Sequence, residues 1–271
     1  MSRPNEPIRA VLFDLDGTLV DSAPDLREAL NALLRAIGRR QVSLEETIGF
    51  VGDGAAKLVE PASETALPDL VSRFLRLYSG ANAIRKTTVF PGAQAMLSTL
   101  RARGLRLAIC TNKPFRPAAA VLSALKLDGY FDEVLGGDSL PQRKPDPAPA
   151  LELARRLGVA PASALFVGDS EIDAQAARAA GMRFVAVSFG YAQGPVGALR
   201  AERVIDALDD LPTIIDALAR PRPSLSGLAR AGVSDGARSA RKSIERMGER
   251  LADRASLLRD LQTVIKNRRN R

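Results

Sequence analysis

Residues 8–13 form a short apolar run, interrupted only by Arg9 and stopped at Asp14. That is the pattern of a strand buried on both faces. Comparable runs recur at 105–110, 164–167 and 184–188, with weaker ones at 134–135 and 203–205. Between them, apolar positions fall at helical spacing over 92–103, 117–127, 147–157 and 172–180. Strands alternating with helices predict an α/β fold around a parallel sheet. Segment 22–88 breaks the alternation. Its apolar positions (Leu26, Leu30, Leu33, Leu34 and Ile37, then Leu70, Phe74 and Leu77) repeat at helical spacing, and no good strand lies among them. The segment therefore reads as a helical insertion after the first strand, with Val89-Phe90-Pro91-Gly92 as the return crossing.

Charge changes the picture at one end of the chain. The 271 residues carry 39 Lys and Arg against 31 Asp and Glu, a net charge of +8. Residues 221–271 hold 13 of the basic and 5 of the acidic side chains, so 1–220 is balanced. A basic protein suggests an anionic partner, but here only the tail is basic. Residues 220–236, rich in Pro, Gly, Ser and Ala, read as a linker. Beyond it Ile244, Met247, Leu251, Leu258, Leu261 and Ile265 predict a basic amphipathic helix over about 237–267, with Arg254 interrupting its stripe. Such a helix fits a solvated extension, self-association into a homo-oligomer, or attachment to an anionic membrane or nucleic acid. The tail has no Phe, Tyr or Trp, which removes base stacking.

The residues missing from the chain narrow the chemistry. With no His, Ser-His-Asp and Cys-His triads and His-ligated zinc are excluded. The single Cys110 forms no intrachain disulfide and reads as a core residue. No targeting segment and no run of about 18 apolar residues is present, so a cytoplasmic protein is expected. What remains is oxygen chemistry, which suits a hard cation such as Mg²⁺.

Four stretches offer it, each following a predicted strand. In Asp14-Leu15-Asp16-Gly17-Thr18, two carboxylates at i and i+2 leave the first strand on one side, where open α/β sheets bind ligands. They repel unless a cation lies between them or one is protonated. Thr111-Asn112-Lys113 sets a hydroxyl and an amide at a second strand tip. Lys144 precedes Pro145 at the start of the 147–157 helix, a point charge for a phosphate. Asp169 and Asp173 straddle the start of the next helix, where Asp169 or Ser170 also suits an N-cap. Taken singly, each stretch also reads as turn, cap or solvated-loop chemistry.

In this order and context the four stretches resemble the motifs of the haloacid dehalogenase superfamily of phosphohydrolases, over about residues 8–218. The resemblance implies a Rossmann-like parallel-sheet core over 1–21 and 89–220, a small helical cap over 22–88, and the tail at 221–271. It implies Asp14 as the nucleophile that forms an aspartyl-phosphate and Asp16 as general acid and base. Thr111 and Asn112 would hold the phosphoryl group and Lys144 would neutralise charge. Mg²⁺ would sit on Asp14, the Asp16 carbonyl and Asp169, with Asp173 in support. Asp16 favours phosphate-ester hydrolysis or phosphoryl transfer to a sugar over dehalogenation.

The cap resembles that of the phosphoglycolate phosphatase group, through 21–26, Phe50-Val51-Gly52-Asp53-Gly54-Ala55 and Gly136-Gly137-Asp138-Ser139. This implies 2-phosphoglycolate as the substrate. Free N–H groups where Gly52-Asp53-Gly54-Ala55 opens a helix running to Glu60 would hold its carboxylate, with Lys57 as a helper; a helix–helix turn with two glycines, Gly52 and Gly54, is the alternative. A sugar phosphate, pyrophosphate or a mutase reaction are the alternatives within the class, and an RNA- or membrane-binding protein the alternative outside it. The expected partner is a small phosphorylated molecule, with no nucleic acid needed for catalysis.

Overall fold

The structure is a computed structural model that describes residues 6–60, 67–79 and 84–219. The linker and amphipathic helix predicted over 221–271 lie outside the described residues.

Apolar side chains on both faces of consecutive short runs produce a six-stranded sheet. Its strands are β1 (Ala10–Phe13), β4 (Arg106–Cys110), β5 (Glu133–Leu135), β6 (Ala164–Gly168), β7 (Arg183–Val187) and β8 (Arg203–Ile205). They run in the order β5-β4-β1-β6-β7-β8, every pair parallel. The six runs read from the sequence are these six strands. A second, two-stranded sheet pairs β2 (Val20–Asp21) with β3 (Thr88–Val89) antiparallel. The periodicity did not predict it, because two residues are too few to show a period of two.

The helices are α1 (Ala23–Ala36), α2 (Leu44–Ile48), α3 (Ala55–Val59), α4 (Leu67–Leu77), α5 (Ala93–Ala102), α6 (Phe115–Ala124), α7 (Ala148–Leu157), α8 (Glu171–Ala179) and α9 (Leu211–Ala219). Alternation along β1 sends Val11 and Phe13 to one face of the sheet and Ala10 and Leu12 to the other. On the first face Leu97 and Leu100 of α5, Val121 of α6 and Leu211 of α9 close the core. On the second, small residues such as Ala108, Ala164, Ala174 and Ala177 let α7 and α8 lie close around Phe166 and Phe184. Leu12 and Phe166 are fully buried, and burying one such side chain stabilises the fold by about 1.5–3 kcal/mol.

Helices α1 to α4 lie between β2 and β3 and have their own core. Leu26, Leu30, Leu33 and Leu34 meet Leu58, Leu70 and Phe74, and the Phe74 and Tyr78 rings stack at 5.8 Å. Leu77, read with the same stripe, is instead exposed, because Tyr78 takes the inward position four residues after Phe74. Asp25, in the first turn of α1, is fully buried. Its carboxylate accepts from the backbone N–H groups of Lys86 and Thr87 and from the Thr87 hydroxyl at 2.6–3.1 Å. One buried carboxylate thus ties the outgoing segment to the returning one.

Register decides what meets at the sheet edge. Phe13 pairs with Ile109 on one side and Val167 on the other. The residues that follow these strands, Asp14, Thr111 and Asp169, therefore emerge together at adjacent C-terminal ends.

Candidate active site

Asp14 continues β1, its N–H donating to the Val167 carbonyl at 2.9 Å. Lys144 Nζ lies 2.9 Å from Asp14 Oδ1 and 2.6 Å from Asp173 Oδ1, with all three side chains buried. Apart from this ion pair, no group among the described residues donates a hydrogen bond to Asp14 Oδ1. Asp173 is fixed by local sequence. Ser170 is the N-cap of α8, and the two residues form a capping box in which Ser170 Oγ donates to Asp173 Oδ2 at 2.6 Å. The expectation of a cap at Asp169 or Ser170 resolves to Ser170, which frees Asp169 for the site.

Asp169 accepts from the Tyr191 N–H at 2.6 Å and from Thr18 Oγ1 at 3.2 Å. The backbone passes close by at Gly17, whose φ is +82°. A Cβ there would lie 2.3 Å from Asp169 Oδ2, so both conformation and space require glycine.

Asp14, Asp169 and Asp173 each offer an oxygen within 4.8 Å of the others. Three buried carboxylates share one lysine. Burial raises Asp14 to about 6 against the pull of Lys144, and the charge of Asp173 adds to the rise. Burial and the charges of Asp173 and Asp14 also push Asp169 well above the ordinary range. Lys144 answers them: burial disfavours its charge, but Asp14 and Asp173 outweigh that and hold its pKa above the usual value. The donor set is all oxygen, and negative charge is in excess. These residues fit a hard divalent cation.

Asp16 faces elsewhere. It accepts from Ser22 Oγ at 2.5 Å and pairs with Lys113 Nζ at 3.1 and 3.2 Å. Lys113 also donates to the Tyr78 hydroxyl at 2.9 Å and lies 4.6 Å from the centre of that ring. Burial works against its charge, but Asp16 and Tyr78 keep the ammonium protonated well above the ordinary range. Thr111 is buried beside them, its Oγ1 accepting from the Lys113 N–H. Asn112 Nδ2 donates to the carbonyls of Lys144 and Gly52, both at 2.9 Å, which leaves Oδ1 without a donor.

Two cavities open on this group. A small one, about 40 Å³, lies under α3 and α4 and is lined by Asp14, Asp16, Thr111, Asn112, Lys113 and apolar side chains including Leu26, Phe50 and Phe74. A larger one, about 360 Å³, lies between the 49–53 turn and the 191–199 loop and reaches Asp14, Asp16 and Asp169.

The sheet brings Asp14, Asp16, Thr111, Asn112, Lys144, Asp169 and Asp173 together. Expectations about the cap hold less well. Gly52 and Gly54 line the small cavity, both with positive φ. Gly52, however, meets the core through its carbonyl, an acceptor that does not attract anions. The helix behind it is only five residues long. Lys57 is half-exposed, pairs with Glu60 at 2.5 Å on the same helix and lies outside both cavities. Cys110 is buried and its thiol is pushed up to about 12 by that burial, as befits a core residue.

Thr18 and Lys113 stand in two of the stretches named above but carry no role there, and Tyr78 and Tyr191 are not marked by the sequence at all. The fold alone brings two of the chain's three tyrosine hydroxyls here. The Tyr191 hydroxyl donates to Asp21 at 2.6 Å and accepts from the N–H groups of Ser22 and Ala23, pinning the segment that leads into α1.

Comparison with known proteins gives a consistent result. The family model for haloacid dehalogenase-like hydrolases matches residues 8–181. Phosphoglycolate phosphatase 1 of Pseudomonas aeruginosa is 40% identical over 232 residues, covering 80% of this chain and 85% of that protein. A phosphoglycolate phosphatase of Cereibacter sphaeroides is 43% identical, covering 76% of this chain and 96% of its own. The crystal structure of a predicted phosphoglycolate phosphatase from Haemophilus somnus 129PT superposes with a TM-score of 0.73 at 34% identity, over 76% of this chain and 97% of that one. Among the described residues, no helix is long and apolar enough to cross a membrane.

Proposed function

The chain belongs to the haloacid dehalogenase-like hydrolase family, and from that membership we propose that it hydrolyses 2-phosphoglycolate to glycolate and phosphate with Mg²⁺. The observation that carries the reading is the placement of Asp14 and Asp16. Two carboxylates two residues apart open on one small cavity, one against Lys144 and the other against Lys113. The names of the relatives supply the substrate.

Asp14 attacks phosphorus and becomes the aspartyl-phosphate. Lys144, held by Asp173, offsets the charge on Asp14 and on the phosphoryl group. Asp16 gives a proton to the leaving glycolate oxygen, then takes one from the water that cleaves the intermediate. Thr111 and Asn112 hold the phosphoryl oxygens. Asn112 does so through its backbone N–H, since both side-chain amide protons are already used. Asp14, Asp169 and the Asp16 carbonyl would hold Mg²⁺ with support from Asp173; it supplies charge stabilisation to the transferring phosphoryl group. Residues 22–88 act as the cap over this site, and 1–21 with 89–220 as the catalytic core.

The test is Asp14→Asn. Its turnover of 2-phosphoglycolate should fall by at least about 10⁴-fold. Acid quenching with phosphate-labelled substrate should leave label on the wild type and none on the variant. Activity that survives the substitution would sink the mechanism. A preference for a sugar phosphate across a panel of phosphomonoesters would move the substrate and keep the class.

A further inference from the structure

The mechanism leaves one buried cation without a part. Lys113 is about 6% exposed and lines the small cavity beside Asp14 and Asp16. Among the described residues it is the one cationic side chain that does so. An ammonium buried this far is costly unless anions or acceptors surround it. The two that do hold it unequally well. The Asp16 contacts, 3.1 and 3.2 Å, are long for charge-assisted bonds, which run about 2.7–2.9 Å. Lys144, by contrast, sits 2.6 Å from Asp173. The second partner of Lys113, Tyr78, comes from the end of α4 in the inserted helical segment. The other walls are largely apolar, with Leu26, Phe50, Leu58, Phe74 and Leu75. Such walls leave sugar hydroxyls without partners, while a short anion can reach the ammonium.

We propose that Lys113, oriented by the Tyr78 hydroxyl, is the subsite for the substrate's carboxylate and so the residue that selects a small phosphorylated acid over other phosphomonoesters. The proposal rests on the phosphoglycolate reading and assigns to Lys113 the task that the sequence suggested for Gly52, Gly54 and Lys57. The phosphate goes to Asp14 and the carboxylate to Lys113. Asp16, which contacts Lys113, lies where the bridging ester oxygen leaves. Because Lys113 belongs to the sheet tip and Tyr78 to the helical insertion, the subsite is complete only with both in place.

The experiment compares 2-phosphoglycolate with phosphoglycolamide, in which a neutral amide replaces the carboxylate, at saturating Mg²⁺. Wild type should prefer the acid by about 100-fold or more in kcat/KM, the scale expected when a buried charge loses its counter-ion. Lys113→Met should bring that preference to within about threefold, by losing acid turnover while amide turnover falls less than about tenfold. Tyr78→Phe keeps the cation and loses its orienting partner, and should cut the preference by about three- to tenfold. It decides the matter if Lys113→Met does not fold. Equal losses for acid and amide in these variants would show that Lys113 serves only Asp16. That would overturn the subsite while leaving the phosphatase reading intact. A wild type that hydrolyses both substrates but does not distinguish them would overturn the phosphoglycolate reading and this proposal with it.

Discussion

Two lysines are buried at the strand tips, and each is paired with one of the two carboxylates that leave β1. Lys144 faces Asp14 and Asp173, and all its charge partners stand on core elements. Lys113 faces Asp16 and Tyr78, one from the core and one from the inserted helices. The first lysine is enclosed and lines neither cavity at the site. The second lines the small cavity. Identical ion-pair chemistry therefore has different consequences. A lysine closed in by its own fold sets the charge of its neighbours and, on the proposed reading, of the phosphoryl group that joins them. One left facing a cavity, with a partner on the inserted helical segment, can also meet a ligand. On the proposed reading this separates the reaction, fixed in the core, from the choice of substrate, shared with the cap.

The sharpest way to break the comparison is Lys144→Met. It leaves three buried carboxylates with no cation, so kcat should fall by at least about 10³-fold for every phosphomonoester tested, with the ratio of acid to amide substrate unchanged. Lys113→Met should do the reverse and change the ratio. If Lys144→Met altered the ratio and spared kcat, the two lysines would have exchanged parts.

A middle-sized effect concerns the charge excess around Lys144. Unfolded, Asp14 has its ordinary value of 3.8; folded, burial raises it to about 6. A raised folded value means that the stability is fully present below about pH 4 and is lost as the pH rises through 6. Asp169 shifts in the same direction. The metal-free protein should thus be weakest where its cluster is fully ionised, and a divalent cation should help most there. Calorimetry should show saturating Mg²⁺ raising Tm by about 5 °C at pH 8 and by no more than about 1 °C at pH 4.5. Equal gains at both pH values would mean that Mg²⁺ does not bind through these carboxylates.

The two lysines also mark how far the sequence could be read. Around Lys144 almost everything was legible, because strand runs are short, apolar and end in polar residues. A parallel sheet then carries those ends to one edge, so Asp14, Thr111, Lys144 and Asp169 could be grouped before any geometry was known. Around Lys113 little was legible. Tyr78 lies 35 residues before it, and helical spacing placed Leu77 rather than Tyr78 on the inward stripe. Tyr191, whose N–H and hydroxyl join Asp169 to the start of α1, lies in a loop with no periodicity at all. A strand tip declares itself in one stretch of sequence. A contact between an insertion and the sheet edge depends on how the insertion is oriented, and local pattern does not encode that.

The smallest expected effect tests the same boundary from the cap. The sequence made Lys57 a candidate helper for a substrate anion, in a helix that opens behind two glycines. Its side chain is instead about half exposed (49%) and pairs with Glu60 one turn along α3. Water screens an ion pair of this kind, and removing it alters neither cavity. Lys57→Ala should leave kcat/KM for 2-phosphoglycolate within about twofold of wild type and keep the preference for acid over amide. A tenfold loss of that preference would place the anion subsite on the cap helix. The selecting charge would then belong to the cap alone, and Lys113 would be a second Lys144, a buried counter-ion for the β1 carboxylate it touches.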